Sequence, residues 1–441
     1  MSGKKEWFEE RKRKEGKRKE KQKRKSWILE PHKAPHTDEF VGMWMLKRFG
    51  EQKFPGISNA PVIFGDSGVR EGLSFESSNV IPIGIGGGLF DEHRNNRDTD
   101  RIPGECAATL TAKELGIQEM PELKKLLEYV LKHDSTGKRM DFDLADVVIS
   151  LNRKYAKTDP KKVINDVFDI LDALYEIKEE PVQKDREALA QIIEAWIRKS
   201  RIPAEVTKPM RKFAVRLKNG HHFDFDLTTI FTALTQKFGI ETAKEKVEMF
   251  LEAKQERQTS FLLALKEIDD PKITKIIVVK RRTNEKIYSF TVVVGESENP
   301  DFGKAARKKK NAAIVIQRKS SGRTLIFGNN KLPIKQEMSN LVAMIRLEEM
   351  LQRGRMPIVD YRKMSSAGAL KEVPNWYFLR GKDSVGQILN GSDNTAPDIE
   401  PTAIPLETIV RFTTMALKLG DTFSWKTHLE NAFRRRIHSR T

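Results

Sequence analysis

The sequence predicts an α/β protein with an N-terminal parallel-sheet domain, a helical middle and a smaller mixed α/β C-terminal domain. Short apolar runs, such as VIF at 62–64 and VIPI at 80–83, lack period-two alternation and are followed by helical segments. This pattern is typical of buried parallel strands that are joined by helices. After residue 270, four strand-like runs separated by turns precede another helix, which indicates a second sheet.

The predicted elements fall into four segments along the chain. Residues 1–25 carry 13 Lys or Arg against 5 Asp or Glu, and we expect them to form a basic, disordered arm. Residues 26–200 should form the first domain, which starts with strands at SWILE, APVIFG and SNVIPIG. Residues 201–270 are predicted to be a helical connector. Residues 271–441 are assigned to a C-terminal substrate-binding domain, and no internal repeat is apparent.

Charge and composition restrict the classes of partner and compartment. A formal net charge of +18 favours a polyanionic partner, nucleic acid above all, and basic clusters lie at 280–282, 307–310 and 434–436. No apolar run reaches the roughly 18–20 residues of a membrane span, so we expect no membrane partner. The single cysteine, Cys106, fits a reducing compartment. We therefore predict a cytoplasmic protein, and we leave a homodimer open.

Histidines and carboxylates cluster where the predicted strands end and after one helix. Two of the eight histidines and an aspartate stand in H-x-x-x-H-x-D spacing. The clustered residues are His32, His36, Asp38, Asp66, Asp91, Glu92, His93 and Asp134. Because the carboxyl ends of parallel strands face one crevice, we expect these clusters to converge. Carboxylates packed together repel one another unless cations separate them, and mixed His/Asp ligation suits Mn²⁺, Fe²⁺, Co²⁺ or Zn²⁺.

Each of these signals also has a plain structural interpretation. The H-x-x-x-H-x-D spacing alone is a weak motif, and Asp66 after a strand is commonly a turn or helix cap. The run GIGGG at 84–88 lacks the G-x-G-x-x-G pattern of a phosphate-binding loop and favours a flexible turn that redirects the backbone into Asp91. His133 beside Asp134 fits a favourable interaction with a helix dipole. The four signals in this order are stronger than each alone.

The order of the motifs resembles the DHH phosphoesterase superfamily, and most closely its eukaryotic-type DHH-like exoribonuclease branch, formerly described as metal-dependent protein hydrolases. The motifs are HKAPHTDE, VIFGDSG, IGIGGGLFDEH, GECAATLTAKELG and LKHDSTG, in that order. The resemblance covers about residues 27–160. It implies that His32 and His36 hold a first metal ion. Asp38 would hold a second ion, whose ligand shell Asp134 would complete, and Asp66 would bridge both.

The D-H-H triplet of this superfamily falls on Asp91, Glu92 and His93, and here the chain departs from the pattern. Asp91 matches a metal ligand, but Glu92 stands where the family has a metal-binding histidine. Glutamate binds the same metals, which leaves open an altered metal preference, weaker binding or a changed activity. His93 matches the histidine that faces the substrate phosphate. The implied cofactors are two divalent metal ions, with Mn²⁺ first and Mg²⁺ or Co²⁺ as alternatives.

In this family a second domain closes over the crevice and contacts the substrate. We place that contact segment at WYFLRGKDSVGQILNGSD, residues 376–393. The residues predicted there to bind substrate phosphate are Arg380, Asn390, Gly391 and Ser392. Trp376 and Tyr377 could stack on bases, but large aromatic residues more often pack in a core, and core packing is the favoured interpretation for both.

The predicted function is a metal-dependent phosphodiesterase or exonuclease that acts on RNA or short oligonucleotides. Two metal ions would lower the pKa of a bridging water for in-line attack on phosphorus, with catalytic roles for Asp66 and His93. One alternative is an enzyme of the same superfamily that acts on pyrophosphate or a cyclic dinucleotide, although the +18 charge argues mildly against it. The other is a non-catalytic nucleic-acid-binding protein on a degenerate DHH scaffold, in which Glu92 marks lost catalysis.

Overall fold

The protein is a mixed α/β chain, in which a short parallel sheet and many helices precede a seven-stranded mixed sheet, as a computed structural model shows. The structure describes residues 26–65, 79–93, 102–137, 140–221, 223–283, 286–332, 338–380, 385–391 and 399–438. The predicted basic arm, residues 1–25, lies outside the described residues.

A small parallel sheet begins the fold. Strand β1 (Ile28–Glu30) pairs in parallel with β2 (Val80–Pro82). On the other side of β1, residues 61–65 run in the same direction, and the amide of Leu29 donates to the carbonyl of Pro61 at 2.9 Å. Strand β1 therefore lies in the middle, between β2 and residues 61–65. The parallel pairing agrees with the prediction from the apolar runs.

The first hydrophobic core is built mainly from helices. They are α1 (Thr37–Phe49), α2 (Ala107–Leu115), α3 (Pro121–Thr136), α4 (Leu144–Tyr155), α5 (Pro160–Glu176), α6 (Gln183–Ser200), α7 (Ala204–Lys218), α8 (Leu227–Phe238) and α9 (Ile240–Glu267). Buried residues from Trp27 to Ala253 form one continuous core. Most of the segment predicted as a connector, 201–270, therefore packs with the first domain. Among the described helices, we find none with the length and apolar character needed to cross a membrane.

A short internal repeat lies in the helical middle. Residues 141–155 (DFDLADVVISLNRKY) and 224–238 (DFDLTTIFTALTQKF) share D-F-D-L and two later positions. In each copy a phenylalanine with positive φ, Phe142 at 71° and Phe225 at 60°, precedes the aspartate that caps the helix. The leucine amide after each cap donates to the phenylalanine carbonyl of the other copy, at 2.9 and 2.7 Å. The expectation of no internal repeat is therefore wrong at this scale.

The C-terminal part is built on one sheet. Its strands are β3 (Thr274–Arg282), β4 (Ile287–Glu296), β5 (Ile314–Arg318), β6 (Thr324–Gly328), β7 (Gly368–Leu370), β8 (Val373–Arg380) and β9 (Gly386–Leu389). They lie in the order β3-β4-β5-β6-β9-β8-β7, in which β4 and β5 are parallel. Its helices are α10 (Phe302–Lys310), α11 (Met338–Gln352), α12 (Tyr361–Met364), α13 (Leu406–Leu419) and α14 (Trp425–His438). The four strands predicted after residue 270 correspond to β3–β6.

Helix α9 connects the two parts of the chain. Its last turns contribute Phe261 and Ala264 to an apolar cluster that also contains Phe302 of α10 and Val315 of β5. Gly295 of β4 passes so close to Phe302 that a Cβ atom there would lie within the ring's van der Waals volume, which explains a glycine inside this strand. The second sheet is thus attached to α9 through α10.

Candidate metal centre

The small sheet places the histidine segment at its carboxyl edge. His32 follows β1 and forms a parallel bridge with Gly65. Asp66, the next residue, lies outside the described residues. Helix α1 begins directly after His36, so Asp38 stands in its first turn, where the helix dipole favours a carboxylate.

Three carboxylates from distant segments come together at this edge. Asp38 lies in the first turn of α1, Glu92 follows the glycine turn after β2, and Asp134 lies near the end of α3. Each offers one carboxylate oxygen, and these oxygens all lie within 4.8 Å of one another. Asp38 and Glu92 are buried, and Asp134 is half-buried. A set of three carboxylates suits a divalent cation that accepts oxygen ligands, such as Mn²⁺ or Mg²⁺.

Asp91, Glu92 and His93 form a second group, whose potential ligand atoms also lie within 4.8 Å of one another. The carboxylate of Asp91 accepts hydrogen bonds from the amides of Gly87 at 2.8 Å and His93 at 2.9 Å. Nδ1 of His93 lies 3.1 Å from Asp91 and 3.3 Å from Glu92. Burial alone would raise the pKa of Asp91, but the hydrogen bonds from His93 and Gly87 lower it below the ordinary value. The GIGGG run therefore acts as a turn that directs an amide to Asp91.

Glu39 holds the histidine segment in place, and the sequence analysis did not identify it. Its Oε1 accepts both the backbone amide and, at 2.9 Å, the ring Nδ1 of His32, and its Oε2 accepts the amide of His36 at 2.7 Å. A proton on Nδ1 leaves Nε2 of His32 as the ring nitrogen suited to a metal. Gly84 makes room for Glu39, because it has φ +65° and a Cβ there would be 2.8 Å from Cγ of Glu39. A glutamate three residues after a helix cap was the signal that could have identified it.

The charged groups of the centre influence one another strongly. Burial alone would lower the pKa of His32, but the carboxylate of Glu39 raises it above the ordinary value. Burial would raise the pKa of Glu39, but His32 and His36 lower it, so Glu39 and His32 favour an ion pair. Binding of a metal through Nε2 of His32 would displace the Nε2 proton of this imidazolium and leave the Nδ1 hydrogen bond to Glu39 in place. The pKa of Asp38 is raised by burial and by the charge of Glu39. Burial, with Asp38 nearby, also raises the pKa of Cys106 to about 12, so this buried thiol stays protonated.

Helix α2 supports Asp38 through close packing on α1. Gly42 of α1 permits the approach, because a Cβ there would be 3.1 Å from Oγ1 of Thr111. The backbone of Ala107, the first residue of α2, forms a hydrogen bond with the carboxylate of Asp38. An anion at a helix N-terminus is electrostatically favoured. The small-residue motif GECAATLTAKELG thus helps to position a candidate ligand.

The substrate segment predicted in the second domain is largely part of its core. Trp376 is fully buried, and its indole N–H donates to Glu349 at 2.9 Å, as the favoured core interpretation anticipated. Asn390 is also fully buried; its amide nitrogen donates to the carbonyl of Glu400 at 3.0 Å, and its oxygen accepts the amide of Thr402 at 2.8 Å. The prediction of a substrate contact by Asn390 is therefore wrong, because internal hydrogen bonds occupy its side chain.

The remaining residues of that segment lie in different surroundings. Arg380 is half-buried at the end of β8, and Gly391 is buried with φ +66°. Tyr377 is half-buried in the same strand. Ser392 lies outside the described residues.

Helix α4 connects the histidine segment with the start of α10, in the C-terminal part of the chain. Asn152 donates to the carbonyl of Pro35 at 2.7 Å, directly before His36. The next residue, Arg153, contacts Asp301 at 2.7 Å, immediately before α10. Two consecutive side chains of α4 therefore link the start of α10 to the histidine segment.

Comparisons with known proteins assign no family to the chain. No protein-family model matches it, and no curated protein matches it. A crystal structure of an uncharacterized protein from Helicobacter pylori G27 is similar over 72% of this chain and 89% of that chain, with 10% sequence identity and a TM-score of 0.21. A TM-score at this level carries no argument about fold or function.

Proposed function

We propose that the chain is a metal-dependent phosphodiesterase that hydrolyses RNA or short oligonucleotides at the centre described above. The observation that supports this proposal most directly is the meeting of Asp38, Glu92 and Asp134, whose carboxylate oxygens lie within 4.8 Å of one another. They come from three separate segments, and the motifs that resemble the DHH superfamily contain all three. The net charge of +18 favours a polyanionic substrate.

The donor set fits two divalent ions. His32 and His36 would hold one, and the three carboxylates would hold the other; Asp91 and Asp66 are further candidate ligands. Mixed nitrogen and oxygen donors suit Mn²⁺, with Mg²⁺ or Co²⁺ as alternatives. When bound, such ions lower the pKa of a coordinated water and stabilise charge on phosphate oxygens.

The protein's own groups orient the reactants. Glu39 fixes the ring of His32 through Nδ1, so that Nε2 is the nitrogen presented for binding. Asp91 and Glu92 hold Nδ1 of His93 at 3.1 and 3.3 Å, which orients this ring to bind or protonate a phosphate oxygen through Nε2. Asp38 and Glu92 are buried, and charge stabilisation is stronger in such a site than in bulk water.

The test compares the wild type with Asp134→Asn and a matched control, Glu128→Gln. Glu128 is an exposed carboxylate on the same helix, α3. Each protein is titrated with Mn²⁺ by calorimetry and incubated with a 5′-labelled RNA of 12 nucleotides. Loss of a direct ligand should weaken binding of one ion by more than the about 10- to 100-fold that loss of an outer-shell partner costs, and it should slow RNA shortening in parallel. Glu128→Gln should behave as the wild type does.

The alternatives give different results in the same assays. Hydrolysis of pyrophosphate with intact RNA would favour the small-substrate enzyme. RNA binding without hydrolysis in Mn²⁺, Mg²⁺ or Co²⁺ would favour the non-catalytic scaffold. Equal activity of wild type and Asp134→Asn would refute the assigned centre.

A further inference from the structure

The second domain exposes one face of a β-ribbon. β3 is the edge strand of the seven-stranded sheet, and it pairs antiparallel with β4. Alternate residues of a strand share a face with the residues directly opposite them. Val293, directly opposite Ile276, is buried in the cluster that contains Phe302. The solvent-accessible residues of this face are Ile276, Val278, Lys280 and Arg282 on β3 and Ile287, Ser289 and Thr291 on β4. We call these seven residues the ribbon face.

Apolar and cationic side chains are interleaved on the ribbon face. Ile276, Val278 and Ile287 are 44%, 60% and 66% exposed, which is high for aliphatic residues, and exposed apolar patches commonly mark interaction sites. Lys280 and Arg282 are exposed beside them. The predicted basic cluster 280–282 is therefore divided between the two faces of the ribbon. Arg281 lies on the opposite face, where it is buried with its guanidinium 4.9 Å from the ring centroid of Phe290.

The basic end of α10 adjoins the ribbon face. The amide of Ala313, three residues after the last residue of α10, donates to the carbonyl of Thr291 at 2.7 Å. Lys308 in the last turn lies with Nζ 5.1 Å from the ring centroid of Phe261. Lys309 and Lys310 share the carboxylate of Asp269, so this group keeps a net positive charge. Residues 272–310 contain eleven Lys or Arg against four Asp or Glu, and this surplus is complementary to a polyanion.

The ribbon face is connected to the candidate metal centre by α10. This helix has nine residues and therefore a length of about 13 Å. Its first end is next to Asp301, which contacts Arg153 beside the histidine segment, and its second end is next to the ribbon face. One extended oligonucleotide of several nucleotides could therefore contact both the ribbon face and the candidate metal centre.

We propose that the ribbon face binds the backbone of single-stranded RNA and so favours long strands over dinucleotides at the metal centre. The role of this RNA as a substrate rests on the proposed function, whereas the binding of RNA to the ribbon face does not. Lys280 and Arg282 contact phosphates, Ser289 and Thr291 supply hydroxyl groups for phosphate or ribose, and the aliphatic side chains pack against the strand. Phosphate contacts position a nucleic acid without reading its sequence, so we expect little sequence preference.

The test uses the full chain with two charge-reversed variants, Lys280→Glu/Arg282→Glu and the control Lys184→Glu/Lys199→Glu. The control residues are exposed on α6, and both variants change the net charge by the same amount. Affinities for fluorescein-labelled RNAs of 4 and 14 nucleotides are measured by anisotropy in EDTA, over a series of salt concentrations. The ribbon variant should bind the 14-mer at least about 10-fold more weakly, and its salt slope should fall by about 1.4, since each single-strand phosphate contact contributes about 0.7. Lys280→Gln/Arg282→Gln, a milder variant, should show the same direction.

The outcomes separate this inference from the proposed function. Hydrolysis of bis-p-nitrophenyl phosphate with Mn²⁺ is measured beside RNA binding, because this small diester does not reach the ribbon face. Weaker binding of the 14-mer in the ribbon variant, with unchanged diester hydrolysis, supports both the RNA-binding ribbon face and the proposed phosphodiesterase activity. The same weaker binding with a wild type that hydrolyses nothing supports the RNA surface and overturns the enzyme.

Two results would overturn the ribbon proposal whatever the hydrolysis assay gives. One is equal affinity of the ribbon and control variants for the 14-mer. That result would leave Lys280 and Arg282 as charges that only prevent edge-to-edge pairing of β3. The other is binding to anionic phosphatidylserine vesicles in preference to RNA.

Discussion

Gly84→Ala tests whether the space beside Glu39 controls the candidate metal centre. Gly84 has φ +65°, and a Cβ there would be 2.8 Å from Cγ of Glu39, whose carboxylate is held by His32 and His36. The left-handed backbone alone costs an alanine about 1–2 kcal/mol. Forcing a buried side chain from its place adds about 1–3 kcal/mol. Gly116→Ala is the matched control, because Gly116 has φ +69° and a Cβ there meets no described atom within 4 Å.

The two variants are compared by urea denaturation in EDTA and by calorimetric titration with Mn²⁺. Gly116→Ala should lower the free energy of unfolding by about 1–2 kcal/mol and leave Mn²⁺ affinity unchanged. Gly84→Ala should lower the free energy of unfolding by about 2–5 kcal/mol and should also weaken Mn²⁺ binding, because a displaced Glu39 no longer orients His32. Equal destabilisation by the two variants with unchanged Mn²⁺ affinity would refute the positioning role of Glu39.

Three further predictions concern groups outside the centre. Burial would raise the pKa of Asp146, but Lys254 lowers it below the unfolded value. The ionised carboxylate of Asp146 therefore stabilises the folded protein above about pH 4, and this contribution is lost as the pH falls through the folded pKa. Asp146→Asn should lower the free energy of unfolding at pH 7 by about 3–5 kcal/mol, and an equal deficit at pH 3 would contradict this account. Asn390→Ala should lower the free energy of unfolding by roughly 1–3 kcal/mol and leave the kinetics of RNA hydrolysis unchanged. A selective rise in the KM for RNA would support the substrate contact that the sequence predicted for Asn390. Arg153→Ala removes a partner of the buried Asp301 carboxylate and should lower the free energy of unfolding by about 1–3 kcal/mol; an unchanged free energy of unfolding in urea would show that this contact does not stabilise the junction between α4 and α10.

The parts of the fold that depend on local pattern could be predicted from the sequence. The parallel pairing of β1 and β2 follows from apolar runs without alternation, and the strands β3–β6 follow from β-branched runs between turns. The repeat around Phe142 and Phe225 was not found, because only six of its fifteen positions are identical. Its structural signature, positive φ at a phenylalanine, is also unusual for a residue with a large side chain.

The candidate site shows the same division between local and tertiary information. The positions of Asp38, Glu92 and Asp134 could be inferred from motif order, since each follows or begins a predicted element. Glu39 was not found, because a glutamate in the first turn of a helix usually signals only a cap. Asn390 was misassigned, since loop residues of polar type resemble phosphate binders in sequence, and its burial depends on contacts that lie far apart in the chain.

Charge balance gives the strongest physical reason to expect a cation at this centre. The carboxylate of Glu39 is already balanced by His32, whereas Asp38 has a pKa raised by burial and by the charge of Glu39. Keeping Asp38 ionised within 4.8 Å of Glu92 and Asp134 therefore opposes folding unless positive charge enters the cluster. Glu92 increases this demand, because it adds an anion where a histidine would be neutral. Glu92, the residue at which the predicted resemblance to the DHH pattern fails, thus favours an oxygen-binding divalent ion such as Mn²⁺ or Mg²⁺ over a nitrogen-preferring one.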